Sequence, residues 1–131
     1  MIGNKCFLDT SVVIDFFRGN AAVVNTIKSF DSVYISDIAV GELYYGAYVS
    51  LNHTKHINQI VSFLESCTIT AVNTATAILY GEIKADLKRR GKPIPENDIW
   101  IAAVSLANNL PLFTTDKHFE LIGLQLVQII Q

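Results

Sequence analysis

An α/β fold, with a central, mostly parallel five-stranded sheet flanked by helices on both faces, is what this sequence predicts, and three observations predict it. Short apolar runs alternate with longer stretches of helical periodicity along the whole chain. Turn-forming residues punctuate the junctions, as at Gly19-Asn20, Gly91 and Asn109-Leu110-Pro111. Strands separated by helices of about ten residues or more need crossover connections, which build parallel sheets covered on both faces. A mean hydropathy of +0.34 agrees with such a sheet, and equally with a subunit interface.

The elements follow in order. Lys5 to Asp9 (K-C-F-L-D) reads as a buried strand, followed by helices over Ser11 to Arg18 and Ala21 to Phe30. Ser32 to Ser36 (S-V-Y-I-S) is a second strand, and Asp37 then serves as the N-cap of a helix running to Ser50. Another helix spans Thr54 to Glu65, and Cys67 to Val72 is the third strand. From Thr74 to Arg90, Ala75, Leu79, Ile83 and Leu87 form one helical stripe before the stop at Gly91. Pro95 opens the next helix from its first turn, with Ile99, Ala102, Ala103, Leu106 and Ala107 facing inward as far as Asn108. Leu112 to Thr115 and Gln125 to Ile130 are the fourth and fifth strands.

Nothing divides residues 1–131: there is no repeat, low-complexity tract or linker, and the length suits a single domain that needs no disulfide staple. No run approaches the ~18 apolar residues of a membrane span. The start, Met1-Ile2-Gly3-Asn4-Lys5, lacks a signal-peptide pattern, so a cytoplasmic protein is expected. Cys6 and Cys67 lie in apolar runs and read as buried, reduced thiols.

The net charge of −2 argues against a nucleic-acid partner until the acids are sorted. Such sheets bind ligands at the carboxyl ends of their strands. Asp9 ends the first strand and Asp116 follows the fourth. Glu42 lies in the second turn of the helix after strand two, and Asp98 in the first turn of the helix leading to strand four. All four meet at one rim if strands one and four are neighbours. The remaining acids, among them Asp15, Asp31, Glu65, Glu82, Asp86, Glu96 and Glu120, read as solvated surface.

Asp9, a lone charge in C-F-L-D-T-S-V-V-I, must be paired, protonated or bound to a cation, and no Lys or Arg adjoins it. Two carboxylates at about 4 Å repel by roughly 4 kcal/mol at an effective dielectric of about 20, so a four-acid cluster stays ionised only with a cation. Oxygen-only ligation suits Mg²⁺ or Mn²⁺. Neither His53-x-x-His56 nor His118 offers a zinc set, and His118 reads as a surface or structural residue. A magnesium ion with open positions activates water against a phosphate. Setting the four acids aside leaves eight acidic residues of the twelve against ten basic ones. Five of the bases, Lys84, Lys88, Arg89, Arg90 and Lys92, fall together, either as a solvated helix end or as a phosphate-contacting edge. The hydroxyls of Thr10, Ser11, Thr114 and Thr115 beside the acids suit either strand-end and cap bonding or a substrate phosphate.

Four segments, L-D-T-S (Leu8 to Ser11), I-S-D-I-A-V-G-E-L-Y-Y-G (Ile35 to Gly46), N-D-I-W-I-A-A (Asn97 to Ala103) and T-T-D-K-H-F-E-L-I-G-L (Thr114 to Leu124), occur in this order and spacing. Together they resemble the PIN-domain ribonucleases, specifically the VapC-type toxins of toxin–antitoxin pairs, over essentially the whole chain. The resemblance implies a PIN-like fold and a Mg²⁺- or Mn²⁺-dependent endoribonuclease acting on RNA. It also implies a homodimer and a cognate antitoxin protein as partner. Carried over residue by residue, it makes Asp9, Glu42, Asp98 and Asp116 the catalytic and metal-holding acids, with Thr114 a polar position beside the metal. One departure is that Ser50-Leu51-Asn52 precedes Lys55, where many such toxins place a cation soon after the glutamate-bearing helix. Tyr44, Tyr45 and Tyr48 on that helix serve either a partner surface or the core. Two other readings compete: an acidic pocket without turnover that receives a basic peptide, and an RNA-processing nuclease of the same superfamily.

Overall fold

Three consecutive side chains, Cys6, Phe7 and Leu8, are almost fully buried, which happens in a strand only when both faces of its sheet are covered. A computed structural model, which describes residues 4–123 and 127–129, places them in β1 (Lys5–Leu8) at the centre of a five-stranded sheet. The other strands are β2 (Ser32–Ser36), β3 (Cys67–Thr70), β4 (Leu112–Thr114) and β5 (Val127–Ile129). Their order is β3-β2-β1-β4-β5, and every pairing is parallel. The remainder of the expected fifth strand lies outside the described residues, as do residues 1–3.

The helices are α1 (Thr10–Phe17), α2 (Ala21–Lys28), α3 (Asp37–Val49), α4 (His53–Leu64), α5 (Thr74–Arg89) and α6 (Glu96–Ala107). The chain steps from β1 to β2 to β3 in one direction and returns past them to β4. Right-handed crossovers therefore put α1 to α4 on one face and α5 with α6 on the other. Val12, Val13, Val23, Leu43, Ile60 and Phe63 fill the core on the first side, and Ile101, Ala102 and Val104 contribute from α6.

Several expectations are corrected. Ser36, not Asp37, caps α3: its hydroxyl accepts from the Ala39 amide at 3.1 Å, and Asp37 becomes the first helical residue, where its charge still favours the helix dipole. Pro95 sits at the N-cap of α6 rather than inside its first turn. In α5 the buried residue of the first turn is Thr76 instead of Ala75, because Asn73 caps the helix by accepting from both the Thr76 amide and hydroxyl at 3.0 Å and draws that side chain inward. Helix α6 is buried around most of its girth, with Ile101, Val104 and Ser105 joining Ile99, Ala102 and Ala103, so a one-sided stripe understates it. Cys67 is only half-buried, although burial still lifts its thiol to about 11 and that of Cys6 to about 12; both are free. A 3₁₀ helix at Lys117–Ile122, absent from the expected elements, follows β4.

Candidate active site

β1 and β4 are neighbours, with Leu8 opposite Phe113, so the residues leaving their carboxyl ends share one rim. Asp9 leaves β1 there. Its amide donates to the Phe113 carbonyl at 3.0 Å, and its carboxylate caps α1 by accepting from the Thr10 amide at 2.8 Å. Its second oxygen accepts from the Ser11 hydroxyl at 2.6 Å and the Thr114 hydroxyl at 2.8 Å. At 3% exposure, burial dominates over these hydrogen bonds and raises the Asp9 carboxyl above the usual range, with the Glu42 charge adding to the rise.

Glu42 comes from the second turn of α3, and its carboxylate accepts from the Thr10 hydroxyl at 2.8 Å. Asp98, in the first turn of α6, is pushed up to about 6, mainly by burial; the His118 hydrogen bond opposes this, and the charges of Asp9 and Glu42 reinforce it. A strand end and the opening turns of two helices thus deliver three acids to one place. Asp116 caps the 3₁₀ helix, its amide donating to the Thr114 hydroxyl at 2.9 Å. The structure therefore brings all four acids of the sequence reading together.

It also brings a fifth group. One nitrogen of His118 lies 2.5 Å from Asp98 and the other 2.7 Å from Asp116, and donor atoms of these three residues lie within 4.8 Å of one another. Sequence reasoning set His118 aside as surface or structural; the signal that could have found it is the Asp116-Lys117-His118 spacing directly after a strand end, which one tight turn folds back on itself. The hydroxyls of Thr10, Ser11 and Thr114 are all given to carboxylates of the site. Thr115 contributes its amide, 3.5 Å from the Ser11 hydroxyl. His53 meets the Ser50 carbonyl at the end of α3 and His56 the Gln59 side chain on α4, and neither is hydrogen-bonded to any of the four acids.

The donor set suits a divalent cation. Among the described residues no Lys or Arg forms an ion pair with any of the four acids, and His118 is the one basic side chain that meets them. Carboxylate oxygens fit Mg²⁺ or Mn²⁺, and an imidazole nitrogen nearby is the better suited to Mn²⁺. Phosphate esters are the substrates that such a site can activate.

Comparison with known proteins gives a concordant picture. The PIN domain model matches residues 6–124. Ribonuclease VapC2 of Haemophilus influenzae is 35% identical over 119 residues, 88% of this chain and 90% of that protein. The VapBC-1 structure from nontypeable Haemophilus influenzae superposes with a TM-score of 0.87 at 28% identity, covering 95% of this chain and 97% of that one. VapBC-5 from Mycobacterium tuberculosis, described as a member of the VapBC family of toxin–antitoxin systems, gives 0.79 at 25% identity over 98% of both chains.

Proposed function

The chain belongs to the PIN domain family, and from that premise we propose that it is a Mg²⁺- or Mn²⁺-dependent endoribonuclease of the VapC kind, the toxin of a type II toxin–antitoxin pair. It hydrolyses RNA phosphodiester bonds as a single domain over residues 1–131, works in the cytoplasm, forms a homodimer and is held by a cognate antitoxin protein. The ribonuclease name of the Haemophilus relative and the toxin–antitoxin description of the Mycobacterium neighbour support this reading. No helix among the described residues is long and apolar enough to cross a membrane.

One observation carries the reading: Asp9, almost fully buried and without a Lys or Arg partner, lies close enough to Glu42 and Asp98 for their charges to act on one another. Such a cluster is costly unless a cation completes it. Asp9, Asp98 and Asp116 would hold the metal, with Glu42 completing the oxygen set. When bound, the ion supplies Lewis-acidic charge against the phosphate oxygens and makes water a better nucleophile near neutral pH.

The chain's own groups do the rest. Ser11 and Thr114 fix the Asp9 carboxylate by hydrogen bonds, and Thr10 does the same for Glu42, which would help orient the attacking water. These hydroxyls act first as positioning groups; contact of Thr10, Ser11, Thr114 or Thr115 with the substrate phosphate is the secondary role. His118, between Asp98 and Asp116, fixes the orientation of both.

The test is cleavage of total cellular RNA by the purified protein, free of antitoxin, in Mg²⁺ or Mn²⁺ against EDTA, beside Asp98→Ala. Discrete fragments that need both the metal and Asp98 are expected. An equally stable protein that produces none would transfer the reading to an acidic pocket without turnover.

A further inference from the structure

Helix α3 presents a second feature beside the acids. Asp37, Gly41, Glu42 and Tyr45 fall along one of its faces and, with Thr10 and Asn97, line an open groove of about 610 Å³. The groove is continuous with the acid cluster, since Thr10 and Glu42 belong to both and are hydrogen-bonded to each other. Tyr45 is 71% exposed, an unusual outlay of aromatic surface one helical turn from a proposed catalytic carboxylate. Gly41 sits in the helix interior, where glycine costs about 1 kcal/mol relative to alanine. A Cβ there would meet nothing within 4 Å, so no neighbour in the chain requires the glycine.

The charge of the groove decides what it can receive. Its charged lining groups, Asp37 and Glu42, are both acidic, so it repels phosphate. It favours a flat, neutral group that stacks on an aromatic ring and presents N–H donors. We infer that the groove is a nucleobase subsite beside the scissile phosphate, with Tyr45 as the stacking platform and Asp37 and Asn97 reading the base edge. Carboxylates accept from exocyclic amines, which guanine, adenine and cytosine carry and uracil lacks, so the subsite selects an amino-bearing base. The inference rests on the ribonuclease reading for the identity of the strand.

Binding of a fluorescein-labelled single-stranded RNA oligonucleotide tests it independently of turnover. Anisotropy is read in Ca²⁺, with the strand checked intact on a gel. Tyr45→Ala should weaken binding about tenfold, as loss of one base–aromatic stack does, and Tyr45→Phe should restore it. Tyr48→Ala, which removes another largely exposed aromatic from outside the groove, should leave binding unchanged. Mapped fragment ends should show an amino-bearing base beside the cut with the wild type and a flatter preference with Asp37→Asn. Unchanged binding by Tyr45→Ala overturns the subsite, and so does a loss of self-association in that variant with RNA affinity intact, which would assign the face to a second copy. Tyr45-dependent binding without metal-dependent cleavage would keep the subsite while removing the nuclease reading.

Discussion

Two acid-bearing regions of this molecule use the same residue types to opposite ends. On the α5–α6 pair, Glu96 meets Lys84 at 3.0 Å and Asp86 meets Arg90 at 2.8 Å, with all four side chains roughly half exposed. Each carboxylate there has its own cation and stays open to solvent. At the rim where β1 and β4 end, Asp9 is buried and Asp98 partly buried; their charges influence each other, and they have His118 in place of any Lys or Arg. The first region is a solvated surface. The second is electrostatically incomplete, and what sets the two regions apart is unmatched burial rather than acidity.

The strongest way to break that comparison is to remove charge from the rim. Asp9→Asn retains the shape and the cap on α1 but loses one metal-holding charge, and it should lower metal-dependent cleavage by about 10³-fold or more, equivalent to about 4 kcal/mol of transition-state stabilisation. In EDTA the same variant should unfold at no lower a temperature than the wild type, because the charge it removes was buried against others. Added Mg²⁺ should raise the unfolding midpoint of the wild type and not that of Asp9→Asn. A wild-type rate of cleavage by Asp9→Asn would erase the distinction between the two regions.

A pH titration in EDTA sharpens it further. The folded value of Asp98, about 6, lies above the ordinary carboxylate value of about 3.9, so the folded state binds the proton more tightly than the unfolded state. Stability is then fully present below about pH 4 and is lost as pH rises through 6, by on the order of 1–3 kcal/mol, with buried Asp9 acting in the same direction. Urea unfolding followed by Trp100, the single tryptophan, at intervals between pH 4.5 and 7.5 reads this directly. Asp98→Asn should flatten the slope, as should Mg²⁺. A slope of the opposite sign would mean that the rim acids are stabilised as anions by the fold itself.

Much of this was legible in the chain alone, and the exceptions have physical causes. Asp9 stands out because its neighbours on both sides are apolar, and β2 could be bounded to the residue because S-V-Y-I-S lies between Asp31 and the start of a helix. Ser36 and Asp37 are both good caps, and their order was decided by which side chain could turn back onto Ala39. Thr76 displaced Ala75 from the inner face of α5 for a similar reason, a local bond to Asn73. His118 was hidden because its position depends on a 3₁₀ turn and on Asp98, 20 residues earlier, meeting it in space. Periodicity reports which face of an element is buried and says little about which polar atoms converge.

The smallest expected effect lies in the solvated region. Lys84 holds Glu96 and also donates to the Tyr80 hydroxyl at 3.0 Å, and Tyr80 stacks on Trp100 with ring centroids 3.8 Å apart and planes within 5°. A network so connected could be mistaken for a structural centre. Yet both charged side chains are about half exposed, and an exposed ion pair contributes only about 0–1 kcal/mol after screening and side-chain entropy. Lys84→Ala should therefore lower stability by about 0.5 kcal/mol in urea unfolding followed by Trp100, and by less in 1 M salt, where the pair is already screened. A loss of 2 kcal/mol or more would place this network in the same class as the rim and leave burial, not pairing, as the weaker guide to where the function lies.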